Sequence, residues 1–115
     1  MNTLPTIHPK LSHQYIDART LAMCRLIADK LRHDPTLVRV ALRNLERWKQ
    51  TLQPWPRALS EWEEILERHP LEEVLRVLTE ESEEGARRRQ NQPFAGVLTQ
   101  RERMEFLQQY DAPRA

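Results

Sequence analysis

The sequence predicts an all-α protein of five to six short helices in a compact bundle, and three observations lead there. Apolar residues recur at three- and four-residue steps along most of the chain, the period of one helix face. Eight prolines and only two glycines punctuate the 115 residues, a balance unlike that of turn-rich β architectures. No segment alternates apolar and polar residues between turn signals, as a half-buried strand would. The length suits one domain, expected over 12–110, with a flexible arm over 1–11 and a frayed tail over 111–115.

The helical pattern begins near Ser12, where Ile16, Thr20, Met23 or Cys24, Ile27 and Leu31 share one face. Asp34-Pro35 stops that helix and starts the next, because aspartate caps well and proline suits a first turn. Val38, Ala41, Leu42, Leu45, Trp48 and Leu52 then predict a second helix with one apolar stripe. The joint around His33 is short enough to make the two an antiparallel hairpin. Pro54-Trp55-Pro56 breaks the chain. Ser60-Glu61-Trp62-Glu63 reads as a capping box for a short helix through Ile65 and Leu66 to about Arg68.

After His69-Pro70, Leu71, Val74, Leu75 and Leu78 mark a fourth helix. Thr79–Gln92 has the least apolar content, with Glu80, Glu81, Glu83 and Glu84 followed by Arg87, Arg88 and Arg89. Pairs four apart, Glu83 with Arg87 and Glu84 with Arg88, would support a solvated helix there. Pro93–Leu98 reads as an apolar loop docked on the core. Thr99-Gln100-Arg101-Glu102 is a second capping box, opening a last helix through Met104, Phe106, Leu107 and Tyr110.

Net charge is nearly zero, but its distribution is uneven. Residues 1–57 carry ten Lys or Arg against four acids, and residues 58–115 carry eight against thirteen. Such a chain can attract partners of either sign, or close on itself with acidic helices over basic ones. Two glycines are too few for a glycine-cradled phosphate site. The single cysteine, Cys24, excludes an internal disulfide and fits a reducing compartment. No apolar run is long enough for a membrane span, and residues 1–10 lack the order of a signal peptide, so a cytoplasmic setting is expected.

No catalytic residue, cofactor or metal site is expected. His8, His13, His33 and His69 sit in arms or junctions with no cysteine or carboxylate cluster to complete a ligand set. Glu61, Glu63, Glu64, Glu67, Glu72 and Glu73 read as solvated faces, with Arg68 and Arg76 four residues after Glu64 and Glu72. Trp48, Trp55 and Trp62 fall seven apart, but Pro54 and Pro56 forbid one continuous seam. Trp55, rigid between two prolines, is a candidate anchor for a protein partner. Arg39, Arg43 and Arg47, with Arg32 seven upstream, form a basic stripe on the second helix and an alternative site for nucleic acid. No interleaved aromatic set accompanies it of the kind that stacks single-stranded bases.

The stretch Gln92–Arg103 resembles a set of small helical bacterial proteins encoded beside nucleotidyltransferase-like toxins. So do Asp17-Ala18-Arg19, Ile27–Leu31, Asn44–Trp48, Trp62-Glu63 and Leu71–Leu75, and the resemblance spans about residues 12–110. It implies an antitoxin of a toxin–antitoxin system, a non-catalytic protein that neutralises a toxin enzyme by complex formation. On that reading Trp55, Phe94 and the Glu80, Glu81, Glu83, Glu84 run are the candidate partner contacts. The acids would enter the toxin's basic cleft as a phosphate mimic. The alternative is a DNA-binding regulator using Arg32, Arg39, Arg43 and Arg47.

Overall fold

The hydroxyl of Ser12 opens the first helix by accepting from the Tyr15 N–H at 3.0 Å. The computed structural model describes residues 12–111 and places six α-helices and no strand among them. They are α1 (His13–His33), α2 (Val38–Lys49), α3 (Arg57–Arg68), α4 (Leu71–Leu78), α5 (Glu83–Arg89) and α6 (Gln100–Asp111). The all-α expectation holds. The predicted arm over 1–11 and residues 112–115 of the predicted tail lie outside the described residues. Asp111 does not belong to a frayed end: it closes α6 and accepts from Arg19 and Tyr15.

α1 ends on Lys30, Arg32 and His33, cations suited to the negative end of the helix dipole. Asp34 then does what its position promised. Its carboxylate accepts from the Thr36 N–H, and Pro35 begins a 3-10 turn, Pro35–Leu37, that leads into α2. That turn touches both α1 and α2, while α2 packs on α3.

The apolar core gathers residues from α1 to α4 and from the loop before α6, and none from α5 or α6. Cys24, Ile27, Ala28 and Leu31 of α1 meet Ala41 of α2, Trp62 of α3 and Val74, Leu75, Val77 and Leu78 of α4. Phe94, Val97 and Leu98 complete it from the loop before α6, so that loop docks as expected. Trp62 and Phe94 are both fully buried and meet edge to face, their centroids 5.8 Å apart. The Trp62 indole N–H donates to the Arg88 carbonyl at 2.8 Å, which removes the cost of burying it.

Two local expectations are corrected. The second helix stops at Lys49, and its buried face is Ala41, Asn44 and Leu45 rather than one through Leu42 and Leu52, which are 44% and 41% exposed. Asn44 explains the rotation, because its side-chain amide donates to the carbonyls of Pro93 and Ala95 at 2.9 and 2.8 Å and turns that edge inward. Gly96 completes the loop at φ +97°, a conformation other residues avoid, with Val40 close by.

The second correction concerns Ser60. The third helix begins one turn earlier, at Arg57, because the Pro56 carbonyl already accepts from the Leu59 and Ser60 N–H groups. Ser60 is therefore inside α3, and Glu63 pairs with Lys49 instead of closing a box. The other capping box forms fully: Thr99 N–H donates to Glu102 at 2.8 Å, and Glu102 N–H donates to the Thr99 hydroxyl at 3.1 Å.

Candidate functional site

The charge divide is largely spent inside the molecule. Among the described residues five ion pairs join the basic half to the acidic half: Arg19–Asp111, Arg25–Glu81, Lys30–Glu102, Arg32–Glu72 and Lys49–Glu63. The folded chain thus closes acidic helices over basic ones. What remains uncompensated is local.

α5 is less solvated than its composition suggests. Gly85 and Arg89 are buried, and the helix pairs with α3 as well as along itself. Arg87 reaches Glu84 three residues back and Glu61 of α3 at 3.0 Å, and Arg88 also binds Glu61 at 3.0 Å. Neither expected pair four apart forms. The same holds in α4, where Arg76 binds Glu73 at 2.6 Å and Glu80 at 3.3 Å while Glu72 turns to Arg32.

Of the acidic run, Glu80 accepts from the Ser82 hydroxyl and Arg76, Glu81 from Arg25, and Glu84 from Arg87. Glu83 alone of the four makes no ion pair among the described residues, and it is exposed. A cleft of about 550 Å³ lies between α5 and the start of α3, lined by Arg57, Ala58, Ser60, Glu61, Glu84 and Arg87.

Trp55 sits in the corner between α2 and α3, half-buried, with the Lys49 ammonium 5.5 Å from its ring centroid. Its indole N–H is buried with no acceptor among the described residues. Beside this corner runs a groove of about 430 Å³, lined by Trp48, Thr51, Leu52 and Leu59 and by Gln90 to Gln92 beyond α5. Leu52 was expected on the core face. It lies instead at the groove's exposed edge, a change traceable to α2 ending three residues before it.

Phe94 is corrected as a partner contact. It is 0% exposed, so its ring holds the core together and offers no surface. Arg39, Arg43 and Arg47 do lie exposed on α2, and none makes an ion pair among the described residues; Arg47 donates to Asn44 at 2.8 Å. Arg32 belongs elsewhere, bound to Asp29 and Glu72. Sequence reasoning overlooked Asn44 and Arg89, whose polarity gave no signal of burial.

Burial pushes the Cys24 thiol up to about 12, against the opposing field of Arg89, so it is a neutral core group. No cluster of histidine, cysteine and carboxylate with metal-binding geometry occurs among the described residues, and no described helix is long and apolar enough to cross a membrane. The chain matches no family model, no curated relative and no solved structure.

Four carboxylates titrate below their ordinary value of 4.5. Burial raises Glu61, but hydrogen bonds from Arg88 and Arg87 more than offset it. Glu73 is lowered by Arg76, Glu80 by the Ser82 hydroxyl and Arg76, and Glu102 by Lys30 and the Thr99 N–H. A lowered folded-state pKa means that the unfolded chain binds protons more readily. These groups therefore add stability above about pH 4.5, and the addition is lost as the pH falls through their folded values. Urea midpoints taken from pH 7 down to pH 3 should stay level and then decline below that point. A midpoint unchanged at pH 3 would show that the pairs contribute nothing.

Proposed function

We propose that the chain is a non-enzymatic protein-binding module of the antitoxin kind, which neutralises a nucleotidyltransferase-like toxin by complex formation. The observation that carries this reading is the α2–α3 corner. There Trp48, Leu52 and Leu59 line a surface groove with an exposed leucine at its edge, and the half-buried Trp55 stands in the same inter-helix corner. Aromatic anchors next to such a groove are the usual centre of a protein interface. The resemblance over residues 12–110 supports the choice of partner. Glu83 and the exposed edge of the acidic run supply a carboxylate for a basic cleft, in keeping with an enzyme that must hold phosphates.

A tagged pull-down from the native host, with nuclease treatment, tests it. One stoichiometric, nuclease-resistant protein bearing nucleotidyltransferase residues is the expected product. Leu52→Asp should weaken that complex by about tenfold or more, because it puts a charge at the apolar contact. Its own stability should shift by no more than about 0.5 kcal/mol, since the site is exposed. Full retention of the partner by that variant would remove the corner from the interface.

A second reading has its own observation, the three exposed arginines of α2 that make no ion pair among the described residues. Successive guanidiniums at four-residue steps rise by about 6 Å along the helix, a spacing suited to successive phosphates. If the chain regulates transcription through them, duplex DNA affinity should fall with salt. Three contacted phosphates imply a log–log slope of about −2.7. Absence of DNA binding at 50 mM salt or an unchanged slope in the triple Arg39→Gln, Arg43→Gln, Arg47→Gln variant would eliminate it.

A further inference from the structure

The last helix is held differently from the other five. Each of α1 to α5 buries at least two residues, and α6 buries none. It runs antiparallel to α1 and is fastened at both ends. Glu102 meets Lys30 at 2.5 Å, while Asp111 meets Arg19 at 3.2 Å and accepts from the Tyr15 hydroxyl. Between these clasps the contact is aromatic and thin. Tyr110 stands edge-on to Tyr15 at 5.7 Å, and Phe106 stacks on Tyr110 at 5.5 Å. A groove of about 430 Å³ remains along the seam, lined by residues that include Ala22, Leu26, Asp29, Glu102, Phe106 and Gln109.

Part-exposed ion pairs contribute little and are screened by salt, and a helix of twelve residues is marginal without packing. Opening would uncover Tyr15, Arg19, Ala22 and Lys30, which with Leu26, 38% exposed already, follow one another at three- and four-residue steps and so share a face of α1. Two cations bracket an apolar middle on that face. α6 carries the complement, two carboxylates nine residues apart with aromatic rings between them.

We propose that α6 is a detachable strap occupying in cis a docking face on α1, and that the face takes an acidic amphipathic helix of a partner protein when the strap opens. The partner's chemistry is read from α6 itself, since among the described residues α6 is the helix that ion-pairs with that face. It carries carboxylates about two and a half turns apart, flanking aromatic or aliphatic side chains. This surface shares no residue with the α2–α3 corner, so it stands or falls independently of the proposed complex there.

Hydrogen exchange on the full chain is the first test. The amides of α6 should exchange by local opening, well before those of α4, and raising salt from 50 to 500 mM should speed α6 while leaving α4 unchanged. α6 protected to the level of α4 would overturn the strap. The second test uses a labelled peptide of residues 99–111 as the probe. The double variant Glu102→Gln, Asp111→Asn, with its α4 protection checked, should bind that peptide about fivefold more tightly than the unaltered chain, because the competent state is more populated. Equal binding by both chains, or binding by neither, would overturn the docking face. Dimerisation of the loosened variant in light scattering would overturn the partner assignment, giving the face to α6 of a second copy instead.

Discussion

Replacing Gly85 with alanine should destabilise the fold by about 3 kcal/mol, the upper part of the range for overpacking. Inside a helix this substitution ordinarily stabilises, by up to about 1 kcal/mol, because alanine loses less chain entropy. Here the sign reverses. A β-carbon at position 85 would stand 2.0 Å from the Glu80 carbonyl oxygen and 2.9 Å from its carbon. Both are backbone atoms held just beyond the end of α4, so no side chain can swing aside. α5 would have to move off α4, opening the core beneath it. Chemical denaturation of the variant gives the answer directly. A variant as stable as the parent would mean that α5 does not approach α4 this closely.

Arg89 forms the other side of that same junction. Replacing it with methionine, close in length and able to fill the space, should cost about 3 kcal/mol through two orphaned acceptors. The guanidinium is only 5% exposed and has no carboxylate partner among the described residues. It donates to the carbonyls of Leu78 and Glu80 at 3.2 and 2.8 Å. The first of these belongs to the set of carbonyls that every helix end leaves open, where a cation is also favoured by the dipole. Cys24 does not neutralise it, because burial keeps that thiol protonated. Lysine at position 89 should recover part of the loss, since one ammonium can reach a carbonyl without the fork geometry. A methionine variant with unchanged stability would show that solvent satisfies these carbonyls. Nη1 of Arg89 also lies 3.1 Å from where the Gly85 β-carbon would stand. The Gly85→Ala and Arg89→Met losses should therefore fall short of additive when combined.

The two capping boxes show where local reading succeeds and where it stops. At Thr99 the motif formed as written, with both reciprocal hydrogen bonds made. At Ser60 the same spelling lost to Pro56, whose extended backbone offers a carbonyl one turn earlier. Helix starts compete, and the first adequate acceptor along the chain wins. The proposed partner site was legible only in part. Trp55 could be singled out from its two prolines, and the outward arginines of α2 from their spacing. Phe94 could not be told from a surface anchor, because an apolar loop looks the same whether it faces a partner or its own core.

Apolar period, proline breaks and polar caps were enough to specify five to six helices and many of their ends, because those are contests between neighbours in the chain. Which charges stay free is a different kind of question. Ten basic residues in one half and thirteen acids in the other left every pairing open, and only the packed helices chose. Packing matched Arg19 with Asp111 and Lys30 with Glu102 across some seventy to ninety residues, while leaving Arg39 and Arg43 without a counter-charge among the described residues. It also drew Arg89 and Asn44 inside, where carbonyls exposed by a helix end and a loop needed donors. A buried polar side chain answers to acceptors that lie distant in sequence, so its place is decided by the tertiary fold.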